Sequence, residues 1–175
     1  MVTILGLAAF VVVYIVILNH EERVMEDYYK DLRETDPALY LSEIRQARGF
    51  DYFLTEYLRM NDYETPKAEV PPFLMGRWAL FGEEKRVGDD FMPESCLNSL
   101  EIEDARLKLL EDGEERLFPV RYTMDGNRAS AHLEQGQAAH IAVVAYGSHV
   151  HHVEVDGLPV AGQNPSTTWY GYLCH

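Results

Sequence analysis

At 175 residues the chain is long enough for one domain with a real core and a short extra segment, and too short for two large domains. Its net charge of −14 excludes nucleic acid as a partner, because binding phosphate needs a basic surface. The acidic excess is spread along the chain, so it describes a self-repelling, soluble surface and names no substrate.

Residues 2–18, VTILGLAAFVVVYIVIL, carry no charge. At about 1.5 Å per residue they span roughly 25 Å as a helix, the lower limit for crossing a bilayer. A cleaved signal peptide would show a basic start and small residues at a cleavage site; Met1-Val2-Thr3 and ILNHEERVMEDYY show neither. No Cys follows the run, which removes a lipoprotein signal. The expectation is therefore an uncleaved signal anchor over 1–19, with the lipid bilayer as partner of 2–18.

Arg23, Lys30 and Arg33 lie on the C-terminal side of the anchor, which by the positive-inside rule keeps the domain cytoplasmic. They are outnumbered by Glu21, Glu22, Glu26, Asp27, Asp31 and Glu34, so the cysteines carry more weight. The two of them, Cys96 and Cys174, are either buried free thiols or, in an oxidising compartment, one disulfide pinning the chain end. A bond would close a loop of 78 positions, stabilising the fold by about 4 kcal/mol in the chain-entropy model. The reading taken is a bonded pair in a periplasmic or otherwise extracytoplasmic domain.

Residues 20–63 read as a helical, membrane-proximal segment. Val24, Tyr28 and Leu32 recur every four residues, continuing the first helix as a stalk able to self-associate. Asp36 as N-cap and Pro37 at the first helical position mark a new start. Tyr40, Ile44, Ala47, Leu54, Tyr57 and Leu58 then build one apolar face, to be covered by the protein's own β domain or by a membrane-protein partner. The partner-binding candidates are Tyr40, Ile44, Leu54, Tyr57 and Leu58. ETPKAEVPP at 64–72 has three prolines and no periodicity, and is expected to be a linker.

From 73 to 175 the pattern is β. Asp112-Gly113, Asp125-Gly126 and Asp156-Gly157 are dipeptides suited to tight hairpins. Alternating segments predict strands at 77–82, 97–103, 105–110, 128–133, 138–146, 149–155 and 167–174, and RLFPVRYTM places Phe118, Val120, Tyr122 and Met124 on one face. The predicted fold is thus a transmembrane helix and helical stalk followed by an all-β antiparallel meander, closed into a small barrel or folded into a sandwich.

Gly76-Arg77-Trp78 at the first strand resembles the G-x-W element of lipocalin-like barrels, and the C-terminal Cys174 also resembles that group. The resemblance covers 73–175 at most, with no T-D-Y element and no later Arg signature. It implies a barrel in which Trp78 plugs one end beneath an entry segment, and a cavity for a small ligand.

GSHVHHVEVDG, at 147–157, packs three histidines into four positions. Strand alternation groups His149, His151, Val153 and Val155 on one face, expected to be inner, and Val150, His152 and Glu154 on the other. With Gly147-Ser148 as a two-residue turn, Tyr146 would oppose His149 and Val144 would oppose His151, placing Ala142, Val144 and Tyr146 on that inner side. Three readings follow. His149 and His151 supply half of a metal site, which needs further ligands, with His140 too far along and His175 in reach only if the terminus folds over. Alternatively, His149, His151, Tyr146 and Trp78 form a polar spot at a cavity mouth, or the histidines are ordinary strand residues.

No G-x-S-x-G, H-E-x-x-H, P-loop or G-x-G-x-x-G occurs, and the pairs Glu83-Glu84, Asp89-Asp90 and Glu114-Glu115 sit in turn-like segments. No catalytic residue and no cofactor is expected. The function read from the sequence is a single-pass, inner-membrane-anchored envelope protein acting as a non-enzymatic accessory subunit or binding module. The alternatives are a small-ligand or metal carrier and a membrane-anchored immunity protein.

Overall fold

A computed structural model describes residues 2–88, 91–111, 113–134, 136–159 and 167–174, with side chains from residue 13 onward. Asp89, Asp90, Asp112 and His175 lie outside the described residues. The chain divides into two compact units, 1–44 and 45–175.

The first unit is helical. Helix α1, Val2–Thr35, ends where Asp36 interrupts it, and α2, Pro37–Arg48, starts with the Asp36 carboxylate accepting the Leu39 N–H at 3.0 Å. Asp36 and Pro37 thus act as the sequence predicts. Within this unit the Tyr28 hydroxyl donates to Glu43 and the Tyr29 ring meets Tyr40 edge-on. Among the described residues no helix is long and apolar enough to cross a membrane. The anchor expected over 2–18 includes side chains outside the described set.

In the second unit α3, Phe50–Met60, precedes a closed barrel whose eight strands pair antiparallel in chain order. The strands are β1 Gly76–Phe81, β2 Ser99–Glu103, β3 Arg106–Glu111, β4 Glu114–Asp125, β5 Arg128–Leu133, β6 Ala138–Tyr146, β7 His149–Asp156 and β8 Trp169–Leu173. The predicted strands correspond to these within a few residues at each end. Of the barrel and sandwich alternatives, the barrel forms: β8 pairs with both β7 and β1, leaving no open edge. Gly126-Asn127 and Gly147-Ser148 are two-residue turns, since Asp125 pairs with Arg128 and Tyr146 with His149. Asp156-Gly157 is no tight turn: β8 begins only at Trp169.

Inside, Trp78, Leu100, Ile102, Leu107, Leu109, Val120, Tyr122, Met124, Ile141, Val153 and Val155 are all buried. Small residues admit the large ones: Ala129, Ala131 and Ala139 line β5 and β6, and a Cβ on Gly171 would lie 2.7 Å from Val153. The face expected for β4 is confirmed, with Val120, Tyr122 and Met124 buried and Phe118 half-buried. Trp78 donates its indole N–H to the Leu74 carbonyl, at the entry to β1.

Segment 64–72, expected as a linker, is bonded to the barrel. β4 has 12 residues, and β3 covers only its first half. Lys67 exchanges both backbone bonds with Tyr122, and Tyr63 accepts from the Met124 N–H, so this segment satisfies the second half. Helix α3 adds an aromatic cap. Phe53 and Tyr57 pack edge-on against Phe73, and Tyr57 stacks on Tyr63, where burial raises the Tyr57 hydroxyl pKa. The cap is tied to the β6–β7 turn by the Phe50 N–H on the Gly147 carbonyl and by Arg45 on the Ser148 carbonyl. Gly49 adopts φ 85° there, and a Cβ would come within 3.1 Å of the Gly147 oxygen.

Cys96 and Cys174 form a disulfide. It joins the end of the β1–β2 connection to the residue after β8. Arg77 braces both sides, donating to the Cys96 carbonyl and accepting the Cys174 N–H on its own carbonyl.

Candidate functional site

The expected inner face of β7 is broken by a bulge. Tyr146 pairs with His149 and Ala145 with Val150, but Val144 pairs with His152, so His151 is an extra residue without a partner on β6. Two corrections follow from that single insertion. Val153 and Val155 do point inward, opposite Val143 and Ile141, whereas His149 and His151 do not share their side. The inner row of β6 is therefore Ala139, Ile141 and Val143; Ala142, Val144 and Tyr146 belong to the outer row.

The bulge gathers adjacent histidines on the outer wall of β7 and β8. His151 is half-buried and His152 only 1% exposed. Their Nδ1 atoms lie 2.7 Å apart. His152 stacks on Tyr172 of β8 at 5.4 Å, and His151 meets Tyr146 edge-on at 4.9 Å. A strap leaving β1, residues 82–88, covers this wall. Both backbone groups of Lys85 bond the Tyr172 hydroxyl, the N–H donating at 2.8 Å and the carbonyl accepting at 3.2 Å. Farther along the connection Phe91 packs on Tyr172 and Phe81.

Hydrogen-bond chemistry assigns the protons. The Val87 carbonyl only accepts, so the His151 Nε2 at 3.2 Å carries hydrogen and donates to it. In neutral His151 the Nδ1 is then a bare acceptor, and the proton shared by the pair belongs to His152 Nδ1. That leaves the His152 Nε2 as a bare lone pair, buried and without a hydrogen-bond partner among the described residues. Burial first, and then the neighbouring His151, hold the His152 pKa below the ordinary imidazole value, while Glu84 pulls weakly the other way. Burial raises the Tyr172 hydroxyl pKa.

The sequence candidates are only partly brought together. Tyr146 and His151 touch; His149 is exposed beyond them; Trp78 is buried inside the barrel, on the other side of the wall. Among the described residues neither His149 nor His151 belongs to a group that could hold a metal ion, and His175, the further ligand considered, lies outside them. Both nitrogens of His151 are engaged, and among the described residues no three His, Cys, Asp or Glu side chains converge on a point. His140 is in the outer row, its Nδ1 3.0 Å from the Ser130 hydroxyl. Of the partner-binding candidates, Tyr40, Ile44, Leu54 and Tyr57 are buried and Leu58 is half-buried.

Sequence reasoning missed His152 and Tyr172. Their common signal is position in alternating runs, HVHHVEV and WYGYL, whose outer residues read as solvent-facing until a strap covers them. Also missed was an open groove of about 610 Å³ lined by Pro66, Ala68, Pro119, Arg121, His132 and Leu133.

No known protein family matches the chain, and neither a curated protein nor a solved structure matches it.

Proposed function

We propose that the chain is a single-pass membrane protein whose barrel acts outside the cytoplasm as a non-enzymatic binding module or accessory subunit of a larger membrane assembly. One observation carries the reading. Residues 13–18 of α1 are six successive apolar side chains, each 44–59% exposed, and they continue the uncharged run from residue 2. A helical stretch whose apolar side chains stand exposed in succession has hydrocarbon as its matching solvent. The disulfide supports this reading, because such bonds persist in oxidising compartments, and for an anchored domain that compartment lies beyond the inner membrane. A lipocalin-like kinship, resting on Gly76-Arg77-Trp78 and on the barrel's meander order, suits a module that binds rather than catalyses.

The test has two arms. An alkaline phosphatase fusion after Pro72 should be active, and a fluorescent cytoplasmic reporter at the same place dark; the reverse pattern overturns the topology. Extraction in mild detergent should retain a stable membrane-protein partner, and a chain that elutes alone overturns the accessory role.

A second reading, a small-ligand carrier, draws on the groove beside Arg121. Apolar walls from Pro66, Ala68 and Pro119 meet the charged side chains of Arg121 and Glu134 there, an arrangement suited to a small amphipathic molecule. Native mass spectrometry of the detergent-solubilised chain distinguishes it, because a carrier arrives with added mass.

A further inference from the structure

The wall of β7 and β8 holds a feature that anchoring and partner binding leave unused: two histidines that share one proton beneath a strap fastened to them. We infer that His151 and His152 form a proton-controlled clasp, holding residues 82–88 on the outer wall while both imidazoles are neutral and share one proton between their Nδ1 atoms, and releasing them when the pair takes up one proton more.

The geometry supplies the reason. With one shared proton, His152 Nδ1–H donates to His151 Nδ1, and His151 Nε2–H donates to the Val87 carbonyl, so the strap is the last link of a three-group chain. A second proton has two places to go. On His151 Nδ1 it sets two N–H groups head to head at 2.7 Å, which breaks the pair. On His152 Nε2 it creates a full charge in a site 1% exposed to water, on an atom with no acceptor among the described residues. Either form is relieved by letting water reach the imidazoles. Of the elements around them, β6, β7 and β8 are locked in the barrel ladder, whereas the strap is held here through Val87 and Lys85.

The other titratable groups facing the pair do not reverse this. Tyr146 of β6 and Tyr170 and Tyr172 of β8 meet the pair with their aromatic rings, and burial raises the Tyr172 hydroxyl pKa. Lys85 of the strap points its ammonium at the Phe81 ring. Glu154 is two positions along β7 in the outer row, and Glu84 of the strap favours the added charge, yet burial and His151 outweigh it.

The sign follows from linkage. Lifting the strap lets water reach His152 and relieves part of the burial that holds its pKa below the ordinary imidazole value of about 6.5. Docking is therefore favoured in full above about pH 6.5 and loses up to about tenfold in equilibrium constant for each pH unit below, until the docked pKa is reached.

The experiment uses the full chain in detergent micelles. Hydrogen exchange of the amides of 82–88, above all the Lys85 N–H bonded to Tyr172, is measured at pH 7.5 and 5.0 and divided by intrinsic rates, with the β2–β3 hairpin amides as internal reference. The expected result is a loss of protection at 82–88 of up to about thirtyfold at pH 5.0, with the reference steady. In H152F, which keeps a ring on Tyr172 and removes the titration, protection should no longer depend on pH. Equal protection at both pH values, or an unchanged pH dependence in H152F, overturns the clasp. Should H152F fail to fold, imidazole ¹⁵N shifts of the wild type decide. They should show neutral His152 protonated at Nδ1, titrating together with the loss of protection; His152 titrating near pH 6.5 with the strap still protected overturns it.

Discussion

The barrel wall is built in two ways. Across β4, β5 and β6 one face is buried and the other wet: Ala129, Ala131 and Tyr122 point in, while Arg121, Arg128 and His132 stand in solvent. Across β7, β8, β1 and β2 both faces are buried, with Val153, Gly171, Trp78 and Leu100 inside and His152, Tyr172, Ala79 and Ser99 outside under the β1–β2 connection. A wall buried on both sides has no water to satisfy its outer polar groups. Most find a partner in the protein, which is why this sector holds a tyrosine bonded to backbone, an arginine bonded to serine, and the shared-proton histidines, with the His152 Nε2 as the exception.

Substitutions that separate the two constructions rank by how much they unmake. Cys174→Ser should have the largest effect, about 4 kcal/mol, because it frees both a 78-position loop and the connection covering the two-faced sector. Urea denaturation of the detergent-solubilised chain measures it, and a reduced wild type should match the variant. Trp78→Ala should follow at about 3–4 kcal/mol, since the indole fills the interior opposite Gly171 and donates to Leu74. This loss should appear in the same unfolding transition with the strap's exchange unchanged. Were it to loosen the strap as much as Cys174→Ser, inner and outer layers would be one cooperative unit.

Tyr172→Phe isolates the outer layer. It keeps the ring on His152 and removes the hydroxyl that satisfies both backbone groups of Lys85, so about 2 kcal/mol should be lost. The loss should concentrate in the Lys85 amide. A variant as stable as wild type would mean that water replaces the phenol, and that this sector is wetter than its burial implies.

The same division explains what could be read from the chain. Where one face is wet, alternation is a direct record of burial, and RLFPVRYTM shows the β4 face without ambiguity. Segment 64–72 failed for a different reason: its prolines signal the absence of a regular element, yet Lys67, between them, still completes the β4 ladder. In HVHHVEV the period-2 reading assumed an unbroken strand, and one bulged residue moved His149 and His151 to the outside. Nothing in the local residues marks that bulge, because it is set by how β7 must leave β6 to meet β8. Tyr172 is equally silent, since its burial depends on a connection some 85 residues earlier in the chain. The disulfide was legible because only two cysteines existed to be paired, and Asp36-Pro37 because capping is a local act.

The sharpest form of the comparison makes one substitution in both sectors. Ser99 is fully buried in the two-faced wall, and its hydroxyl accepts from the Arg77 guanidinium at 2.9 Å, the same group that holds the Cys96 carbonyl. Ser99→Ala strands a charged donor under the connection and should lose about 1.5 kcal/mol. Ser130 occupies the matching outer row of the one-faced wall, where its hydroxyl meets His140 Nδ1 at 3.0 Å. Both partners there are half-exposed, so water takes the place of the lost hydroxyl and alanine suits the strand no worse than serine. Ser130→Ala should therefore change stability by less than about 0.5 kcal/mol. Parallel denaturation of the two variants gives the difference directly. Equal losses would show that outer-row hydroxyls matter alike all round the barrel, and that the covering connection does not set their energetics.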